Sequence, residues 1–138
     1  MDICLVSYKM ADTVLISVSG RASVTGITKE MDELIPLTWH SPANDLPPTY
    51  AIFVSKTFDH VLELIRSSGV FVVNFVHYIK PFTCGAHKDT FKEATLTRAE
   101  CEKIDCVRVQ EASKWLECEL SQEVDLGDHV LFLGKVLN

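Results

Sequence analysis

The sequence lacks any Cys-x-x-Cys spacing, and its five cysteines, Cys4, Cys84, Cys101, Cys106 and Cys118, are odd in number. That argues against a disulfide framework of the secreted kind and fits reduced thiols in a cytoplasmic chain. No uninterrupted apolar stretch approaches the ~20 residues that span a bilayer. The opening MDICLVSYKMADTVLIS has no basic segment ahead of a long apolar one, so neither a membrane span nor a secretory leader is expected. Basic residues are the minority, 13 against 19 acidic, for a formal net charge of −6. This speaks against a broad nucleic-acid footprint and favours small-molecule partners. Internal repeats, low-complexity tracts and charged linkers are absent as well. What remains is a chain of 138 residues, 47% apolar and 23% charged, which suits one packed domain over residues 1–138.

Runs rich in β-branched and aromatic residues recur at Thr13 to Ser19, Tyr50 to Ser55, Val70 to Val76, Trp115 to Val124 and His129 to Leu137, and these read as strands. In the fourth run Leu116, Cys118, Leu120 and Val124 share one face and Glu117, Glu119 and Ser121 the other, which predicts a strand with one side in water. Asp125-Leu126-Gly127-Asp128 then reads as the turn of an antiparallel hairpin. From Asp59 to Ser68 the helical spacing of Val61, Leu62, Leu64 and Ile65, followed by Gly69, predicts a helix. Thr97-Arg98-Ala99-Glu100 has the capping-box pattern and predicts a second, short one. The segments from Gly20 to Pro48 and from Ile79 to Thr97 read as long connections, of the kind that often carry function. Many strands with few helices point to a barrel or sandwich.

Four places could carry chemistry. Ser55-Lys56-Thr57 leaves a strand for a helix, so hydroxyls, an ammonium and backbone N–H groups could gather on an anion; the alternative, which these residues alone favour slightly, is an N-cap by Thr57 or Asp59 beside a solvated lysine. Thr38-Trp39-His40-Ser41 before Pro42 could lie along a flat heterocycle, or Trp39 could be a core anchor and His40 a surface residue. Asn74 inside VFVVNFV must find partners, either backbone groups or a ligand. Cys84-Gly85-Ala86-His87 is a poor metal half-site and a poor nucleophile–base pair, so neither metal binding nor a catalytic side chain is expected.

The stretch PLTWHSPANDLPPTYAIFVSKTFDHVLELIRSSGVFVVNFV resembles the flavin reductase-like, FMN-binding split β-barrel family, which includes flavoredoxin-like proteins. The shared order is a Trp-x-x-Pro loop, a Pro-Pro strand, a phosphate turn, a helix and a Gly-x-Phe-Val-Val-Asn strand. CGAHKDTFKEATLT and WLECELSQEVDLGDHVLFLGKVLN resemble its later segments, so the likeness spans about residues 13 to 138. It implies a mainly β fold: a split, antiparallel Greek-key barrel with a few short helices. It also implies a homodimer and non-covalent FMN, reduced by NADH or NADPH and passing electrons to flavin, oxygen or a protein.

By position, Thr38, Trp39, His40 and Ser41 would border the flavin ring. Ser55, Lys56, Thr57 and the helix start near His60 would hold the phosphate. Asn74 would lie near the ring or ribityl chain, and Cys84, Gly85 and His87 in a covering loop. Glu33 stands where the family often has asparagine, Phe58 and His60 where basic or hydroxylated residues are frequent, and Asn138 follows the last strand where relatives commonly continue with a tail. The same features also suit an FMN-binding electron carrier without turnover of its own, or a structural relative that has lost flavin.

Overall fold

The computed structural model describes residues 13–85 and 88–138, the side chain of Val24 apart. In chain order these form β1 (Val14–Val24), β2 (Ile27–Leu37), β3 (His40–Asp45), β4 (Pro48–Ser55), α1 (Asp59–Ser68), β5 (Val70–Phe75), α2 (Thr90–Ala94), β6 (Arg98–Glu100), β7 (Val107–Val109), β8 (Lys114–Asp125) and β9 (His129–Val136). Seven strands make one antiparallel sheet in the order β2-β1-β5-β8-β9-β4-β3, and β6 pairs with β7 as a separate hairpin.

The closure of the large sheet follows from its connectivity. Its two edge strands, β2 and β3, are joined by only Thr38 and Trp39. Three Cα steps span at most about 11 Å, so the edges must lie beside each other and the sheet must curl into a barrel with a seam between them. This is the expected antiparallel barrel, mainly β with few helices.

Alternating side chains sort the barrel into an inner and an outer layer. Val14, Ile16 and Val18 of β1 join Ile35, Ile52, Val54, Phe71, Val73, Cys118 and Phe132 inside. Leu15 of the same strand turns outward with Leu34 and is covered by Phe91, Ala94 and Val109 from α2 and the β6–β7 hairpin. From Val14 to Val18 strand β1 is therefore buried on both faces, which suits its run Val14-Leu15-Ile16. Helix α1 brings Val61, Leu62, Leu64 and Ile65 into the inner core, and Gly69 ends it at φ 74°. It approaches β1 so closely that a Cβ on Gly20 would stand 2.7 Å from Ser67 Oγ and 2.9 Å from the Leu64 carbonyl oxygen.

Three expectations are corrected. The segment from Gly20 to Pro48 is no long connection but a hairpin, turned by Thr25 and Gly26 at φ 52° and 80°, and then β3. Positive φ at both central residues gives a two-residue turn whose twist suits the flanking strands. The capping box at Thr97 is not used: Arg98–Glu100 is strand β6, and Thr97 gives its N–H and hydroxyl to the Glu111 carboxylate while its carbonyl accepts from Gln110 N–H. Helix α2 lies earlier instead, capped by Asp89, whose side chain accepts from Lys92 N–H.

The second face of β8 is not simply in water. Glu117 is fully buried there, accepting from the backbone N–H groups of Glu102 and Lys103 and from the Trp115 indole. A carboxylate leaves water when enough donors replace it, and the β6–β7 loop supplies them. Period-two alternation reports which residues share a face, not what covers that face.

Candidate functional site

Strand register gathers the first group of expected residues at one end of the barrel. β4 and β9 are antiparallel, with Ser55 opposite His129. The Phe53 N–H donates to the carbonyl of Trp39, which holds the β2–β3 connection against the same end. Trp39 stacks on His129, with ring centroids 4.6 Å apart and planes 25° off parallel, yet the indole stays 52% exposed. A supported aromatic face open on its other side can take a flat ring. His129 was no candidate in the sequence; only the register opposite Ser55 brings it under Trp39.

The turn after β4 completes this end. Ser55 Oγ and Thr57 Oγ1 lie 3.0 Å apart, and the Lys56 N–H donates to the Asp128 carbonyl, which clips the turn to the β8–β9 hairpin. The Lys56 ammonium is also engaged, its Nζ 2.9 and 2.8 Å from the two carboxylate oxygens of Asp125. This hydrogen bond holds the Asp125 carboxyl below the usual range, with the Gly127 N–H assisting. Asp128, lowered in the same sense by His129, adds a second exposed carboxylate. The turn thus offers hydroxyls and one cation to an anion, with acids at its rim.

A second group sits where α1 begins. His60 Nε2 lies 2.7 Å from Glu33 Oε2 of β2; the histidine side chain is 10% exposed and the glutamate is fully buried. The hydrogen bond to Glu33 raises the His60 pKa, burial opposes the rise, and the charges of Glu33 and Asp59 add to it. Glu33 Oε1 is buried and has no hydrogen-bond partner among the described residues. Cys84 lies alongside, its Sγ 3.9 Å from the Leu34 carbonyl oxygen, with its thiol pKa pushed up by burial and by the charge of Glu33. Such a thiol is protonated at neutral pH and is a weak nucleophile.

The other expected residues go elsewhere or stand open. Thr38 is exposed, and Ser41 Oγ turns to the Pro42 carbonyl. His40 Nδ1 is 2.8 Å from Tyr50 Oη, and its ring packs with Tyr50 and edge-on to Phe75, away from the indole that precedes it. Asn74 is fully buried between barrel and hairpin: its Nδ2 donates to the Leu15 carbonyl and to Ser17 Oγ, and its Oδ1 accepts from Val109 N–H. The fold itself uses this amide at both ends. Gly85 has open space where a Cβ would stand, and His87 lies outside the described residues. A groove lined by Thr13, Pro36, Tyr78, Pro81 and Phe82 contains none of these side chains.

The family model described as the flavin reductase like domain matches residues 8–138. The chain belongs to this family. A relative from Nostoc sp. bearing the name diflavin flavoprotein A 6 is 32% identical over 131 residues, which is 83% of this chain and 22% of that protein. The chain thus spans about a fifth of that relative. Among solved structures, an FMN-binding protein from Thermus thermophilus aligns with a TM-score of 0.65 at 18% identity, covering 91% of this chain and 67% of the other. A flavin reductase, HpaC, solved with NADP+, aligns at 0.64 and 15% identity, covering 92% and 76%. These likenesses show the split-barrel fold, and the family match makes the chain a flavin reductase-like domain. Among the described residues no helix is long and apolar enough to cross a membrane.

Proposed function

We propose that the chain binds FMN non-covalently and serves as a flavin reductase-type oxidoreductase, taking hydride from NADH or NADPH and passing electrons to flavin, oxygen or a protein. One observation carries this reading: the Trp39–His129 stack stands beside the Ser55-Lys56-Thr57 turn, so a ring platform and an anion turn share one end of the barrel. The residues fit such a cofactor. Trp39 offers a face for the isoalloxazine, Ser55 and Thr57 offer hydroxyls to the phosphate, and Lys56 offers a donor beyond the two spent on Asp125.

When bound, FMN supplies the hydride and electron chemistry. The chain's own residues bind and orient it. Trp39 shields one ring face and His129 keeps the indole flat. The turn fixes the phosphate end and thereby the distance to the ring. No side chain here need act as acid or base, and the raised Cys84 thiol is unsuited to nucleophilic work. We further propose a cytoplasmic homodimer.

Titrating the purified protein with FMN and then with NADH and NADPH tests the reading. One flavin per chain, with quenched flavin fluorescence and nucleotide consumption above that of free FMN, is expected. A protein that takes up no FMN would refute it. Stoichiometric FMN without nucleotide consumption would leave the electron-carrier reading, which suits a domain forming about a fifth of a larger flavoprotein.

A further inference from the structure

We infer that Cys101 and Cys106 form an oxidisable dithiol, a modification site at the end of the β6–β7 hairpin where glutathione disulfide closes a reversible bridge. The inference is independent of the flavin reading. Register supplies the placement: Arg98 faces Val109, Ala99 faces Arg108 and Glu100 faces Val107, so the next pair along the ladder is Cys101 and Cys106. Their backbones are joined, the Cys101 N–H donating to the Cys106 carbonyl at 3.2 Å. Directly opposite residues of an antiparallel ladder point to one face, with Cα atoms about 5.5 Å apart when hydrogen-bonded, and a disulfide spans that separation. Among the described residues the other cysteines lie elsewhere, Cys118 in the inner core and Cys84 beside the Leu34 carbonyl.

The chemistry runs in two exchanges. Cys101 is half-buried and Cys106 buried, so the Cys101 thiolate attacks glutathione disulfide first, forming a mixed disulfide and releasing one glutathione thiolate. The Cys106 thiolate then attacks the Cys101 sulfur and expels the second. Two protein thiols lose two electrons and two protons, and one glutathione disulfide becomes two glutathione molecules. Burial and then the neighbouring Cys106 push the Cys101 thiol up to about 12, and burial pushes Cys106 up to about 11. Both are therefore protonated at neutral pH, so the bridge forms slowly and needs sustained oxidation. A hydrogen-bonded pair also holds its Cβ atoms about 1 Å wider apart than a disulfide prefers. The Glu102 and Lys103 N–H groups, fixed on the buried Glu117 carboxylate, resist the closing of that gap. Such a bridge is strained and readily reduced, which makes it a reversible mark rather than a permanent staple.

The experiment incubates the folded chain with excess glutathione disulfide at mildly alkaline pH, blocks the remaining thiols and digests with trypsin without reduction. Cleavage after Arg98, Lys103 and Arg108 puts Cys101 in the peptide of residues 99–103 and Cys106 in that of residues 104–108. Mass spectrometry is expected to find these two peptides joined, and dithiothreitol to separate them. Cys101→Ser is expected to yield no joined pair, and because the wild-type digest is decisive alone, the inference does not depend on how well that variant folds. Two unlinked peptides with blocked thiols would overturn it. So would glutathione held stably on Cys101 with Cys106 still free, which would show that the second exchange does not occur in this hairpin.

Discussion

Replacing Lys56 by methionine removes the one cation of the turn while keeping most of its apolar stem. In the structure Nζ bonds both oxygens of Asp125, and the two side chains are 40% and 70% exposed. An exposed pair contributes little to stability, so the melting temperature should hardly move. On binding FMN the ammonium gains a phosphate oxygen, a hydrogen bond to a charged group worth about 1.5–3 kcal/mol in general. Exposure and competition from Asp125 put the expected loss at the lower end, roughly 10-fold in Kd. Riboflavin, without the phosphate, should bind wild type and K56M equally. Asp125→Asn frees the lysine and removes a repelling charge, so it should tighten FMN by a few-fold and leave riboflavin alone. Isothermal titration with both flavins measures all of this. If K56M weakens riboflavin and FMN alike, or neither, or if D125N weakens FMN selectively, Lys56 does not hold the phosphate.

Two further outcomes concern stability. Asn74→Leu strips the donors from Ser17 Oγ and the Leu15 carbonyl and leaves the buried Val109 N–H unpaired, so urea unfolding should show a loss of at least ~1–3 kcal/mol; an unchanged midpoint would mean that the amide does not fasten the β6–β7 layer. The His60 pKa is raised in the folded chain by its hydrogen bond to Glu33, so the pair's contribution is full below the unfolded histidine pKa of about 6.5 and is lost as pH climbs through the higher folded value. Thermal stability should therefore fall on going from pH 6 to alkaline pH, and His60→Gln should flatten that fall; identical profiles for the two proteins would refute the coupling.

Local patterns in the sequence determined the elements that local physics controls. The helix from Asp59 to Ser68 is legible because its four buried apolar side chains recur at helical spacing and a left-handed glycine follows it. The β8–β9 hairpin is legible because Gly127, at φ 118°, marks its turn. The Thr25–Gly26 hairpin passed unseen because polar strands with exposed ends carry no apolar alternation, although the Thr-Gly dipeptide was a usable signal. The Thr97 pattern misled because a capping box describes only what a helix start could use, and Glu111, fourteen residues away, claimed the same donors.

For the site, the ordered motifs, from the run between Trp39 and Asn74 to the closing hairpin, were enough to reach the family, since together they span about residues 13 to 138. Which of those side chains meet was a matter of barrel closure. Register opposite Ser55 put His129 beneath Trp39, and Lys56 found Asp125 across 69 residues. Parity along β5 turned Asn74 outward to the hairpin layer. The fold brought His60, at the start of α1, within hydrogen-bond distance of the buried Glu33 of β2. Hydrogen bonds and charges act over a few ångströms, and only the closed sheet decides which distant residues come that near.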